Sequence, residues 1–301
     1  MKLSNRPVKM GFRVRLMSPI GRYPADSFCT QSAAMIISPE ICFSIVRIPK
    51  EDWSFSEVDI LSKLEIPLFG SILLAGEAGT PYLYPYPTSN SVILETESLE
   101  DIEDRHMLEC KSFLLENIQK DTSGYATNSF HRPPSLGGIK YALIPSSCAV
   151  SDRLMVLHSL ETANPVILRG VSCLLKGRMA FQHAEFGEAA CIYLWIALDA
   201  AHSLVLQRLR KSGMANPTSK DAAKYFEEIS GYKTEWDKFF EDDYENRIRA
   251  IHPHSRLGAE AIPQFLADDF LELNDMLVPF FDFFVLEFPH DFPSEDPETN
   301  S

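Results

Sequence analysis

One long stretch, residues 181–210, constrains the fold of this chain most strongly, because its middle is apolar on every side. Its longest unbroken apolar run, residues 189–198, lies between Glu188 and Asp199 and is too short to span a bilayer. A helix that is apolar all round is buried on all sides in a globular protein. We therefore predict that this stretch forms the central helix of a bundle and that the chain does not enter a membrane.

The rest of the second half also has helical spacing. Apolar residues recur at steps of three and four over residues 166–179, again from Trp236, and again from Phe270. Ser219 is suited to capping a helix, and Pro253 should end the helix before it. We predict an all-helical domain over residues 150–288, followed by an acidic, disordered tail over residues 289–301.

The first half instead shows the two-residue period of β-strands. Apolar residues from Val8 to Leu16 alternate with polar ones that include Arg13 and Arg15, which predicts a half-buried strand with one face in water. Short apolar runs at residues 33–37, 41–48, 71–74 and 91–94 predict further strands, and a helix should follow Ser98. We predict a mixed α/β domain with a small sheet over residues 1–145, and an α+β fold class for the whole chain.

The negative charge of the chain is confined to its last quarter. The formal net charge is −14, and residues 221–301 account for all of it, with 20 acids against six Lys or Arg. This distribution argues against broad binding of nucleic acids, DNA included. It confines any RNA contact to a small basic site at residues 247–256, to a dimer groove or to the neutral N-terminal half.

The cysteines and the N-terminus indicate the cellular compartment. The six cysteines are scattered and form no CxxC pair, as is typical of buried thiols in a reducing cytosol. The N-terminal charges are not followed by an apolar segment of the kind that makes a secretion signal. We expect a cytoplasmic protein without a metal or another cofactor.

The densest group of cations lies inside the acidic quarter. It comprises Arg247, Arg249, His252, His254 and Arg256. A guanidinium matches the oxygens of a phosphate, and an imidazole can move a proton near neutral pH. These residues could therefore cleave RNA without a metal, and a two-fold dimer would double the groups at one site. They could equally stabilise a helix end and pair with neighbouring acids such as Asp242.

A second polar pair lies in the central helix. Asp199 and His202 are three residues apart, so their side chains can meet on one helix face. A hydrogen-bonded pair inside a bundle has mainly a structural or auxiliary role, because buried polar groups need partners in any case.

Residues 244–253, Tyr-Glu-Asn-Arg-Ile-Arg-Ala-Ile-His-Pro, resemble the R-x4–6-H motif of the HEPN superfamily. The sequence Ser-Arg-Leu-Gly at 255–258 and the helix from Asp268 resemble the Apea-like and related bacterial groups of that superfamily. The apolar stretch 188–201 is similar to the long helix that opens such domains. The resemblance covers about residues 178–288 and does not reach residues 1–145.

The resemblance implies a helical bundle that forms a homodimer, with the two motifs meeting at the interface. Many members are metal-independent endoribonucleases of bacterial phage-defence or toxin systems. On this basis Arg247 would stabilise the phosphate and His252 would act in acid–base transfer. We assign substrate binding to Arg249, His254 and Arg256, and structural or auxiliary roles to Tyr244, Asn246, Asp199 and His202. The domain over residues 1–145 would be a sensor or regulatory domain.

Two other functions stay open. Ile248 follows Arg247 where active members usually carry a polar residue, and other members keep the fold without catalysis. The alternative is therefore a non-catalytic dimerisation module or a regulatory module that binds a ligand or partner. A nucleotidyltransferase-linked role is less favoured, because the first half lacks a Gly-Ser followed by paired aspartates.

Overall fold

The computed structural model describes residues 10–19, 26–37, 42–49, 61, 63–75, 83–85, 91–96, 98–120, 150–181, 186–230 and 267–290. The chain divides into two compact units, Met1–His158 and Ser159–Ser301. Within the described ranges the first unit combines a sheet with helices, and the second is helical, so the predicted α+β class is confirmed. The division falls inside a helix, whereas the sequence places the domain boundary just before that helix.

The sheet of the first unit is antiparallel and is organised around strand β1 (Met10–Pro19). On one side of β1 the order is β4 (Cys42–Pro49), β3 (Ala33–Ile37) and β2 (Asp26–Cys29). On the other side β6 (Val92–Leu94) pairs with residues 12–14 of β1, and β5 (Leu83–Pro85) pairs with residues 17–19. The predicted strands at 33–37, 41–48 and 91–94 are thereby confirmed to within a residue or so.

An apolar core covers one face of this sheet. Phe12, Val14 and Leu16 of β1 pack with Phe43 and Ile45 of β4 and with the buried side of helix α2 (Asp104–Lys120). The Ser98 hydroxyl accepts a hydrogen bond from the backbone nitrogen of Glu100, 3.2 Å away, and caps a 3₁₀ turn that precedes α2. The helix predicted after Ser98 is therefore present, but it begins at Asp104, beyond that turn.

Helix α1 (Glu65–Leu74) covers the other face of the sheet, where two predictions from the sequence are wrong. It contacts β3 and β4, and all ten of its residues are buried. The strand predicted at residues 71–74 is the end of this helix, because a short apolar run is compatible with either buried structure. The prediction that one face of β1 lies in water is also wrong, since Arg13 and Arg15 are 6% and 1% exposed.

Five helices follow: α3 (Val150–Glu161), α4 (Pro165–Phe181), α5 (Gly187–Lys211), α6 (Ser219–Ser230) and α7 (Ala267–Glu287). The division between the units lies within α3, and α4–α7 belong to the second unit. The predicted long helix over 181–210 is shorter at its start, because Phe181 ends α4 and α5 begins at Gly187. The helix predicted from Trp236 and the tail predicted after residue 290 lie outside the described residues.

Helix α5 is the centre of the second unit. It packs against α4, α6 and α7 and buries residues along its whole length, from Ala190 to Leu209. Among the described residues it is the one helix that is long and apolar enough to cross a membrane. The prediction that this stretch is too short to span a bilayer considered only the apolar run of residues 189–198, whereas the whole helix has 25 residues. The packing on three helices is typical of the core helix of a soluble bundle.

Helices α4 and α7 approach each other closely. A β-carbon placed on Gly170 of α4 would overlap the ring of Phe281 of α7, which is fully buried. At the other end of the contact the rings of Phe181 and Phe270 are stacked, with their centroids 4.0 Å apart. Phe280 of α7 also stacks on Phe226 of α6, at 5.0 Å. Ring stacking and one glycine thus determine how α7 packs on the other helices.

We predict that Gly170→Ala lowers the free energy of unfolding by about 1–3 kcal/mol, because the added methyl group overpacks the contact with Phe281. Gly177→Ala on the same helix is the matched control. Its β-carbon would lie 3.1 Å from Leu194 Cδ2, and the gain of about 1 kcal/mol in helix propensity offsets this milder contact. Urea denaturation followed by circular dichroism measures both variants. Equal stability of the two would show that the α4–α7 contact is loose.

Asp282 of α7 places a carboxyl group in a partly buried position among phenylalanines. Burial raises the pKa of this carboxyl from 3.8 to about 6. The folded protein therefore holds the proton more tightly than the unfolded chain does. The stability that protonation contributes is fully present below pH 4 and is lost as the pH rises through 6.

We predict that Asp282→Asn unfolds at the same temperature as the wild type near pH 4 and at a higher temperature above pH 6. One pKa unit corresponds to about 1.4 kcal/mol, and the remaining solvent contact reduces the expected gain to about 1 kcal/mol. Thermal unfolding between pH 4 and pH 8 measures the difference. Glu272→Gln, at an exposed position of α7, is the control for the loss of one carboxylate. A pH-independent effect of Asp282→Asn would contradict the raised pKa.

Candidate functional site

The residues predicted to perform catalysis, Arg247 and His252, lie outside the described residues. The same holds for the other predicted residues of that segment, which are Arg249, His254, Arg256, Tyr244 and Asn246. The described chain borders the segment on both sides, since α6 ends at Ser230 and α7 begins at Ala267. Their predicted roles therefore stay predictions.

The structure describes the auxiliary pair, Asp199 and His202, on helix α5. Asp199 is exposed and His202 is half-buried. His202 Nε2 lies 3.3 Å from Ser219 Oγ, and the tautomer of the ring decides which atom donates. His202 thus contributes to the contact between α5 and the first residue of α6. The predicted pairing of His202 with Asp199 stays a prediction.

The start of α6 has a cap that the sequence reasoning placed one residue too late. Asp221 Oδ2 accepts hydrogen bonds from Thr218 N at 2.8 Å and from Thr218 Oγ1 at 2.7 Å. In return, Asp221 N donates to Thr218 Oγ1 at 3.3 Å. This reciprocal arrangement is a capping box, and the bonds from Thr218 lower the pKa of Asp221. The Thr-x-x-Asp spacing in the sequence was a signal that favours Thr218 over Ser219 as the capping residue.

A buried polar contact joins α4 to α7. Arg178 Nε donates to Asn274 Oδ1 at 2.8 Å, and Asn274 Nδ2 donates to Asp275 Oδ1 at 2.9 Å. Arg178 and Asn274 are both buried. Because the stacked pair Phe181 and Phe270 lies in the neighbouring turns, this contact and the stack together hold the end of α4 on the start of α7.

The first unit contains a buried cluster of charged residues that the sequence reasoning missed. Arg15 Nη1 donates to Glu65 Oε2 at 3.0 Å, and Arg13 Nη2 lies 4.0 Å from the same oxygen. Ser44 Oγ donates to Glu65 Oε1 at 3.2 Å, and Ser44 stands opposite Arg15 in the pairing of β1 with β4. Both carboxylate oxygens are therefore held by strand residues. As the first residue of α1, Glu65 also complements the positive end of that helix.

This cluster holds α1 on the sheet and is closed to solvent. Arg15 and Ser44 are at most 1% exposed, and Glu65 is fully buried. The signal in the sequence was a single acid, Glu65, at the start of an apolar run, together with two arginines at alternate positions of a strand. A buried acid needs a cationic partner, so these residues could have been paired.

The described residues offer no metal centre. Among them, no group of three or more His, Cys, Asp or Glu side chains is arranged to hold a metal ion. Four cysteines are free thiols, of which Cys110, Cys173 and Cys191 are buried and Cys29 is exposed. Burial raises the pKa of the Cys110 thiol, which makes this group less reactive.

We predict that Glu65→Gln lowers the free energy of unfolding by about 3–5 kcal/mol, because two buried arginines lose their charged partner. Glu103→Gln is the matched control. It breaks a 2.7 Å ion pair with Arg105 whose side chains are both more than half exposed, so the cost should stay below about 1 kcal/mol. Urea denaturation measures both variants, and a Glu65→Gln protein of wild-type stability would contradict a structural role for the cluster.

Comparisons with known proteins identified no relative of this chain. No protein-family model, curated protein or solved structure matches this chain.

Proposed function

We propose that this protein is a metal-independent endoribonuclease of the HEPN type, acting as a cytoplasmic homodimer in a bacterial defence or toxin system. The observation that carries the proposal is the packing of α5. This apolar helix is buried by α4, α6 and α7, as the resemblance implies for the helix that precedes the Arg/His motif. The segment with Arg247 and His252 then lies in the sequence between two helices of the same bundle.

The proposed reaction needs one cation and groups that move protons. His252 removes the proton from the 2′-hydroxyl of a ribose, and the 2′-oxygen attacks the adjacent phosphorus. Arg247 neutralises the charge that develops on the phosphoryl oxygens. The bond from phosphorus to the 5′-oxygen breaks, and that oxygen takes a proton from the His252 of the second protomer. The products are a 2′,3′-cyclic phosphate and a 5′-hydroxyl, and no water or metal is consumed.

Within this proposal, the first unit senses a signal or regulates the nuclease. The resemblance does not extend to residues 1–145. The described part of this unit has a core of its own between β1, β4 and α2, and a buried ion cluster beneath α1.

We predict that the purified wild-type protein cleaves total cellular RNA in the presence of EDTA. His252→Ala and Arg247→Ala should each slow cleavage by about 100-fold or more, because each removes a group that acts in the transition state. Two control variants remove a histidine and a cationic side chain outside the segment with Arg247 and His252. His158→Ala alters an exposed histidine of α3, and Lys224→Ala removes an exposed cation of α6. Both should cleave at the wild-type rate.

The opposite result would favour the other candidate function. If wild type and His252→Ala leave RNA equally intact under every activating condition, the nuclease proposal is lost. Ile248, which follows Arg247 directly, then supports a dimerisation or ligand-binding module. In that case Arg247→Ala should lower the thermal stability of the protein while its biological activity persists in the fraction that folds.

A further inference from the structure

A serine and a histidine are hydrogen-bonded where α6 begins beside α5. Ser219 is the first residue of α6, and its Oγ lies 3.3 Å from Nε2 of His202 on α5. Both residues are half-buried, so the pair is partly covered by protein and partly open to solvent. A hydroxyl within hydrogen-bond reach of an imidazole is the arrangement of a nucleophile with its general base, and this distance is often longer before a substrate binds.

The start of α6 does not need the Ser219 hydroxyl as a cap. Thr218 and Asp221 form the capping box, in which Asp221 N donates to Thr218 Oγ1. Burial does not require the contact either, because neither Ser219 nor His202 is closed to water. A polar group that is open to solvent can hydrogen-bond to water instead. The structural demands of this helix end therefore leave the Ser219 hydroxyl free to react.

The same helix end offers donors for an oxyanion. The first amides of a helix have no partner within it, and the positive end of the helix dipole favours negative charge. Asp221 N and Ala222 N both donate to Thr218, so in the described part of the chain the amides of Ser219 and Lys220 are the two left over. The amide of the residue after a nucleophilic serine is a common donor to the oxyanion. Lys220 N has that position relative to Ser219.

We propose that Ser219 and His202 form a second reactive site, which hydrolyses small carboxylic esters through an acyl-enzyme. Ser219 is the nucleophile and His202 is the general base. The leftover amides at the start of α6 stabilise the charge that develops on the carbonyl oxygen. This activity goes beyond the proposed ribonuclease and does not rest on it.

The reaction has two steps, and water is the second reactant. First, His202 takes the proton of the Ser219 hydroxyl while Oγ attacks the carbonyl carbon of the ester. The bond from that carbon to the alkoxy oxygen breaks, and the leaving alcohol takes the proton from His202. Water then attacks the acyl group and gives a proton to His202. The carboxylic acid leaves, and Ser219 Oγ takes the proton back.

The test treats the full-length protein with a fluorescent fluorophosphonate. This probe forms a bond from its phosphorus to the oxygen of an activated serine and releases fluoride, so the natural ester need not be known. Gel fluorescence measures the rate of labelling, and mass spectrometry of the digested protein locates the adduct. The test variants are Ser219→Ala and His202→Gln, since glutamine can hydrogen-bond to Ser219 but is not a base. The matched control is Ser203→Ala, which removes the half-buried serine next to His202 in the sequence.

We expect the probe to label wild type and Ser203→Ala at Ser219, and both test variants to react at least about 100-fold more slowly, because each lacks the nucleophile or its base. Thermal unfolding checks that the variants fold. The position of the adduct in the wild type decides the question even if a variant does not fold. No adduct in the wild type, an adduct only at another residue, or an unchanged labelling rate in His202→Gln would overturn the proposal.

A second measurement tests the class of substrate. The wild type should hydrolyse p-nitrophenyl acetate, and prior labelling of Ser219 by the probe should block that hydrolysis. Labelling of Ser219 without any hydrolysis that the probe blocks would contradict an ester as the substrate. The outcome is independent of the nuclease test, which uses RNA and the segment with Arg247 and His252, so either activity can fail while the other stands.

Discussion

The second unit depends on one constraint, the need to cover the apolar surface of helix α5. Eleven residues of α5 between Ala190 and Leu209 are buried, and without a cover these residues would expose several hundred Å² of apolar surface to water. Helices α4, α6 and α7 provide the cover, and α4 and α7 meet through Gly170 and Phe281. Helices α6 and α7 border the segment 231–266 in the sequence.

The first unit differs from the second in that charged side chains are buried in it. Arg13, Arg15 and Glu65 lie between the sheet and α1, and the ion pair and hydrogen bonds among strand and helix residues offset part of the cost of desolvation. A buried pair of this kind contributes little net stability compared with apolar residues, but either partner alone is costly. The cluster therefore specifies where α1 docks more than it strengthens the unit.

The sequence predicted the parts of the fold that follow from local pattern. Alternation predicted β1 and a short apolar run predicted β4, and apolar periodicity predicted the helical second half with α5 at its centre. It failed where a distant element decides the environment. Nothing near Arg13 or Arg15 indicates that α1 covers them, and the short run 71–74 does not distinguish helix from strand. For the candidate site, the sequence named the residues from 244 to 256, and of its predictions the structure describes Asp199 and His202 alone.

Charge connects the fold with the proposed function. The net charge of −14 confines the proposed RNA contact to places where cations concentrate, and the sequence concentrates them in the segment with Arg247 and His252. The most direct test of the account is the identity of the RNA ends that the proposed nuclease activity of the wild-type protein would produce in EDTA. Attack by the 2′-hydroxyl predicts 2′,3′-cyclic phosphate and 5′-hydroxyl ends. Ends with 3′-hydroxyl and 5′-phosphate, or the absence of cleavage, would contradict it.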